Sequence, residues 1–304
     1  SLVRCKRLVQ ITMDKSYRRF YEEVGEKYPE ESVVYSTLRG ILRKQFIINR
    51  LAGMHGVLLD AGCNVGTYCL KYQNGKVIGV DIAHSVLVKA KQRVPEGLFV
   101  VGDLECLRFI KDGKVRNVLC TEVLEHLQNP EAALQEFYRI LTPEGKLLIT
   151  TPNYKKRPTN LVQLGILKSF GVQAPEGDKY LHTAFKPNEL SRMLLKTGFE
   201  VIEKGTLEKP VKYCAKFPRL LFLIINLVNR SFVHSERFSF WGEKIFNLLS
   251  LRIYESVEFL GLQRFLDRWV KEGVRSYAVA RKPKEACADE EFFDLTTGEE
   301  RSKF

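Results

Sequence analysis

No stretch of this chain holds 18 or more uninterrupted apolar residues. That excludes a conventional membrane-spanning helix, which needs about 20. None of the seven cysteines forms a C-x-x-C pair; they stand singly at Cys5, Cys63, Cys69, Cys106, Cys120, Cys214 and Cys287. Such scatter argues against a zinc site or a disulfide frame and suits a reducing, cytoplasmic setting. Cys120, inside an apolar run, reads as a small core residue. The opening Ser1–Thr12 is basic but lacks an apolar core and a small-residue cleavage site. It does not read as a secretory signal, and Met13 is a candidate start. A G-x-G-x-x-G fingerprint is missing too, which argues against a nicotinamide dehydrogenase. The 304 residues suffice for one large domain, or a domain with a substantial insertion, and 45% apolar with 28% charged residues is a globular balance.

What is there centres on Val57-Leu58-Leu59-Asp60-Ala61-Gly62-Cys63-Asn64-Val65-Gly66-Thr67-Tyr68. Three apolar residues run into an acid and then a glycine-bearing turn. That predicts a buried parallel strand, a tight loop and a helix start whose free N–H groups face a ligand. An acid before the first glycine repels a pyrophosphate and suits an ammonium or a sulfonium. Lys76–Asp81 is a second apolar run ending in an acid, with Asp81 placed 21 residues after Asp60. A carboxylate there can accept both hydroxyls of a ribose. Leu98–Leu104 predicts a third strand with Asp103 just past it. Asn117–Leu127 holds a fourth, followed by Pro130 and an amphipathic stretch to Leu141. Thr142–Gly145 reads as a turn, Lys146–Thr151 as the next strand, and Phe199–Leu207 as strand six.

Asp60-Ala61-Gly62-Cys63-Asn64-Val65-Gly66, with acid-ended strands following in this order, resembles the first motif and core of class I S-adenosylmethionine (SAM) methyltransferases. The family usually has a glycine where Asn64 stands, and asparagine is the next-best residue for a left-handed conformation. The resemblance covers residues 40–208. It implies an α/β, Rossmann-like, seven-stranded, mostly parallel sheet in the order 3-2-1-4-5-7-6. It implies SAM as cofactor and S-adenosylhomocysteine as product. The residues it assigns to the cofactor are Asp60, Ala61, Gly62, Cys63, Asn64 and Gly66 for the methionine end, and Asp81 and Ile82 for the ribose. Asp103 and Leu104 border the adenine, with Thr121 and Glu122 beside the transferable methyl.

Glu122-x-x-Glu125-His126 is similar to the E-x-x-E-H of ubiquinone-type and small-RNA methyltransferases, where it can bind a divalent metal. His182 would complete a set of Glu122, Glu125, His126 and His182. The preferred reading is metal-free, with His126 as general base, Glu122 and His182 as the other catalytic candidates, and Tyr154 as an alternative helper. Lys155-Lys156-Arg157 reads as a solvated loop, with a grip on an anionic substrate group as the alternative.

The domain reading assigns 1–53 to N-terminal helical segments, 54–208 to the SAM-binding core, 209–273 to a helical insertion, 274–282 to the last strand and 283–304 to an acidic mobile tail. Lys209–Lys282 carries 14 Lys/Arg against 6 Asp/Glu, most of the chain's net +12. Phe217–Val228 is strongly apolar but too short to span a bilayer. Further on, Leu262, Phe265, Leu266, Trp269 and Val270 share one helical face. The insertion reads first as a subdomain burying its own core. The alternatives are a lid over a lipid-like substrate, or a surface resting on an anionic membrane. Aromatics interleaved with Lys/Arg are sparse, so nucleic acid ranks lower as a partner. The function expected is methyl transfer to an oxygen or carbon nucleophile of a hydrophobic small molecule, a quinone precursor or lipid. An RNA methyltransferase and a non-catalytic SAM-binding scaffold are the alternatives.

Overall fold

The computed structural model describes residues 15–284 apart from Arg157, Thr159 and Glu176. The basic opening, Met13 and the tail from 285 lie outside the described residues. Helix α1 (Lys15–Lys27) and the short α2 (Glu30–Val34) lead into α3 (Leu38–Ala52). Thr37 caps α3 by accepting from the Gly40 N–H at 3.1 Å. Its buried stripe is Leu38, Arg43, Ile47 and Leu51.

Strand β1 (Leu58–Ala61) is buried throughout and feeds α4 (Thr67–Lys71); β2 (Val77–Asp81) feeds α5 (His84–Arg93). β3 (Leu98–Val101), β4 (Val115–Thr121), α6 (Pro130–Ile140) and β5 (Leu141–Pro152) follow. Asn129 accepts from the Ala132 N–H and Pro130 opens α6, a site where a missing N–H costs nothing. The expected turn at Thr142–Gly145 lies within the span of β5. It is taken up as a bulge, the register stepping from Val115↔Leu141 to Asn117↔Lys146.

A hairpin of β6 (Leu161–Gln163) and β7 (Lys179–Leu181) comes next, then α7 (Pro187–Thr197) and β8 (Glu200–Leu207). Four helices follow: α8 (Val211–Cys214), α9 (Lys216–Val228), α10 (Glu236–Phe259) and α11 (Gln263–Trp269). The described chain closes on β9 (Arg275–Arg281).

The seven-stranded sheet has the order β3-β2-β1-β4-β5-β9-β8. It is the expected order, β8 and β9 standing as the sixth and seventh strands. β9 alone runs antiparallel to its neighbours. Neighbouring residues on the central strands feed opposite cores. Leu59, Val118 and Leu147 pack with α6 and α7 through Phe137 and Leu190. Leu58, Leu119 and Leu148 pack with α3 and α5 through Ile47 and Val86. Both faces are covered, so the strands read as continuous apolar runs. The insertion joins this body through Val211 and Cys214, which pack on Leu38, with Leu42, Leu251 and Tyr254 around them.

Candidate functional site

The carboxyl ends of β1, β2 and β4 open into a cavity of about 690 Å³, the usual site of an open α/β sheet. The loop after β1 is shaped by left-handed residues. Gly62 has φ 76°, and a Cβ there would stand 2.3 Å from Val123 Cγ2. Asn64 has φ 47°, so it adopts the conformation for which glycine is usual. Asp81 Oδ2 accepts from the Asn64 N–H at 2.9 Å and Oδ1 from the Ala83 N–H at 3.0 Å. Its carboxylate is thereby fixed at the cavity wall.

Gly62, Asn64, Asp81, Ile82, Asp103, Leu104, Thr121 and Glu122 line this cavity; Asp60, Ala61, Cys63 and Gly66 do not. The expectation that Asp60 reaches the methionine end is corrected here. Asp60 is 1% exposed, and Oδ2 accepts from Cys69 Sγ at 3.3 Å, behind the loop. Burial pushes its carboxyl up to about 7. A carboxyl with a higher pKa folded than unfolded costs stability wherever the unfolded chain ionises. The cost is absent below about pH 4, grows as pH rises and is complete above about 7. Asp60→Asn is therefore expected to gain on wild type by of the order of 4 kcal/mol between pH 4 and pH 8. Urea denaturation of the ligand-free protein at both values measures it; a gap independent of pH would contradict the ionisation account.

Glu122 follows β4 with φ 56°, a conformation that costs a non-glycine residue strain. Its Oε2 meets Arg43 Nη1 at 2.7 Å and Arg275 Nε at 2.6 Å, while Thr150 Oγ1 donates to Oε1 at 3.1 Å. Glu208 adds a second carboxylate, this one buried, 3.3 Å from Arg43 Nε. Burial alone would raise Glu122; Arg275 and Arg43 outweigh it and hold the carboxyl below its ordinary value. Glu122, a catalytic and cofactor-binding candidate, thus lines the cavity as an anion committed to two guanidinium groups.

Glu125 and His126 lie on the 3-10 turn Leu124–His126, and His182 follows β7. The Thr183 N–H donates to the Glu125 carbonyl at 2.8 Å, tying the hairpin to this turn. The His126 and His182 rings are 5.0 Å apart. Nδ1 of His126 lies 3.0 Å from the Leu181 carbonyl oxygen. A carbonyl only accepts, so Nδ1 carries the proton and Nε2 keeps its lone pair. Burial pushes His126 down and, together with the His126 ring, takes His182 down to about 4. Both rings are neutral at pH 7. Burial and the Glu122 charge push Glu125 well up. Tyr154 is not at this site: its hydroxyl donates to Glu189 Oε1 at 2.5 Å, at the start of α7. Lys155 and Lys156 are exposed and do not line the cavity, while Arg157 lies outside the described residues.

A methyltransferase domain model matches residues 59–149. Ubiquinone biosynthesis O-methyltransferase of Idiomarina loihiensis is 30% identical over 182 residues, 56% of this chain and 73% of that protein. The chain belongs to the class I SAM-dependent methyltransferases. The Glaesserella parasuis ubiquinone biosynthesis O-methyltransferase is 28% identical over 53% of this chain and 73% of its own. An uncharacterized protein of transposon TN4556 in Streptomyces fradiae is 27% identical over 47% of this chain, which spans only 43% of that protein's length. Among solved structures, a chain from the complex of the Haloferax volcanii Trm112 methyltransferase activator with a methyltransferase has a TM-score of 0.54 at 15% identity. That match covers 89% of this chain and 99% of that one. Haemonchus contortus phosphoethanolamine N-methyltransferase 2 gives 0.50 at 15%, over 88% and 60%. At these identities the likeness is one of fold.

In this class I methyltransferase the cofactor is SAM, and the cavity suits it. The fixed carboxylate of Asp81, the loop residues Gly62 and Asn64, and the acid and aliphatic pair Asp103 and Leu104 all line the cavity. Two further side chains reach the loop from α2. Glu30 accepts from Asn64 Nδ2, and Glu31 accepts from Thr67 Oγ1 at 2.5 Å and pairs with Arg93 at 2.9 Å. Sequence reading missed both; the pair of acids opening a short helix after Pro29 was the signal. It missed Arg43 as well, a cation at i−4 from buried Ile47.

A divalent cation also fits part of the set proposed from sequence. Ligand atoms of Glu125, His126 and His182 lie within 4.8 Å of one another. Both carboxyl oxygens of Glu125, and Nδ1 of His182, are buried without a hydrogen-bond partner. Glu122 does not belong to that set, being held by Arg43 and Arg275.

Proposed function

We propose that this methyltransferase acts on an oxygen or carbon nucleophile of a hydrophobic small molecule, such as a quinone precursor or lipid. The observation that carries this reading is the chamber beside His126. Phe20, Tyr21, Tyr28, Leu164, Leu167 and Tyr180 line it, from α1, the turn after β6 and β7. Such a wall favours an apolar acceptor with one polar reacting end. The relatives named for ubiquinone biosynthesis support a small-molecule acceptor.

SAM supplies an electrophilic methyl on a sulfonium. The chain's part is to hold the acceptor in line and to take its proton. Asp81 would accept from the ribose hydroxyls, Asp103 and Leu104 would flank the adenine, and the Gly62–Asn64 loop would meet the methionine end. His126 Nε2 would take the acceptor's proton, with Nδ1 anchored on Leu181. The α1–α2 cover and the β6–β7 hairpin would exclude water.

The orphaned carboxyl of Glu125 favours one variant of this reading. Glu125, His126 and His182 would hold a divalent cation, which would lower the pKa of an acceptor hydroxyl. Calorimetric titration with SAM and with S-adenosylhomocysteine, with and without magnesium, tests the scheme. Micromolar binding of both and turnover of phenolic or lipid acceptors is expected. A magnesium effect that vanishes in Glu125→Ala would assign the metal. Turnover of RNA alone, or no binding of either ligand, would sink the small-molecule reading.

A further inference from the structure

The insertion half-buries one side of α9 and bares the other. Phe222 packs on Phe246 of α10, ring centroids 5.7 Å apart, and Ile225 lies against Gly242. Leu220, Leu223, Ile224 and Leu227, spaced i, i+3, i+4 and i+7, form a second stripe on the same helix, and each is more than half exposed. A globular helix turns such a stripe inward. On α11, Phe265 and Trp269 are 56% and 76% exposed. Apolar exposure on this scale marks an interaction surface.

Cations border the bare stripes. Lys216 and Arg219 open α9 and are exposed, as are Arg264, Arg268 and Lys271 along and after α11. At the root of the insertion an open cleft is lined by Lys186, Arg192, Lys204, Lys209 and Lys271 together with Glu189 and Glu272, the latter paired with Lys186 at 2.6 Å. Lys212 lies among these cations; burial, with Lys155 and Lys186 nearby, holds its ammonium below the ordinary lysine value.

We propose that α9 and α11 dock on an anionic lipid bilayer, their apolar stripes entering the boundary between headgroups and acyl chains and the flanking Lys and Arg meeting lipid phosphates. The charge pattern selects this occupant. A second copy of the chain would set the same cations against one another, whereas an anionic surface complements them. Contact is in the plane of the membrane, since α9 has 13 residues and no described helix is long and apolar enough to cross. The docking does not depend on which acceptor is methylated.

Flotation of the full chain with vesicles tests it, using phosphatidylcholine alone or mixed with phosphatidylglycerol. The expected result is binding to the anionic vesicles at low salt, at least about tenfold weaker on phosphatidylcholine alone and weakened by added salt. Leu223→Asp with Leu227→Asp should lower binding about tenfold or more, with SAM titration unchanged. Lys216→Glu with Arg219→Glu should lower it independently of any effect of the first pair on folding. Binding to neither vesicle, or anionic binding that both variants retain, would overturn the proposal. So would a wild-type dimer that the leucine variant dissociates, because a second copy would then cover the stripe.

Discussion

Alanine at position 126 is expected to lower kcat by about 10²–10⁴-fold, the contribution of a positioned base. The KM for SAM should move little. The reason lies in the two nitrogens: Nδ1 is spent on the Leu181 carbonyl, leaving Nε2 as the basic atom in the cavity. His126→Asn can still donate to that carbonyl, so it separates positioning from proton transfer. It should keep the wild-type melting midpoint and lose the rate. The pH profile carries a further sign. With His126 as the proposed base, the neutral ring would be the active form, and burial holds its pKa below the ordinary histidine value. Wild-type turnover should therefore persist as pH falls past about 6.5 and fail only below it. Full turnover in His126→Asn would remove the base assignment.

Arg43→Ala is expected to destabilise the protein by about 3–5 kcal/mol, the cost of leaving buried charge uncompensated. Arg43 is 8% exposed and stands between Glu208, which is buried, and Glu122, which is half-buried at the cavity wall. Without it, Arg275, with Arg39 acting on Glu208 only, is left facing two carboxylates. Adding Glu208→Gln should recover part of the loss, because one of the stranded charges goes with it. Denaturant midpoints of the two variants measure this; a loss near zero for Arg43→Ala would mean that water reaches the cluster. Arg50 and Glu203 give the contrast. They are paired at 2.6 Å but each is over a third exposed, and Arg50→Ala should cost less than about 1 kcal/mol.

The core of the fold was legible because its strands are buried on both faces. Leu58-Leu59 and Val118-Leu119 read as unbroken apolar pairs, and each run leads to a polar residue, Asp60 behind the loop and Thr121 at the cavity. Asp81 could be placed from that pattern, and Asp103 and Thr121 from the resemblance to the family's strand order. Asp60 could not, since spacing locates a residue on a strand end without saying which way its carboxylate turns. The β6–β7 hairpin escaped for a different reason. Leu161-Val162-Gln163 and Lys179-Tyr180-Leu181 are three-residue strands, too short for any alternation to be read. Their importance, bringing His182 to His126, is a product of long-range pairing. Arg43 was hidden by its neighbours: helical spacing puts it on the apolar face, but only the fold supplies Glu122 and Glu208. The reading of the insertion as a subdomain with its own core accounts for Phe222 on Phe246, but not for Val211 and Cys214, which pack on Leu38 of α3, and it leaves the bare stripe of α9 unexplained.

The place of the insertion also bears on how the protein is made. β9 fits between β5 and β8, yet it is synthesised after all four insertion helices. A chain leaving the ribosome therefore holds β5 as an open edge until β9 emerges about 125 residues later, on the order of 10 s at usual elongation rates. During that wait the apolar strand Leu147-Leu148-Ile149 has an unpaired flank, the arrangement that invites pairing with another chain. Nascent copies of this protein would be clients for chaperones at that stage, and a version with α8–α11 replaced by a tight turn would close its sheet sooner.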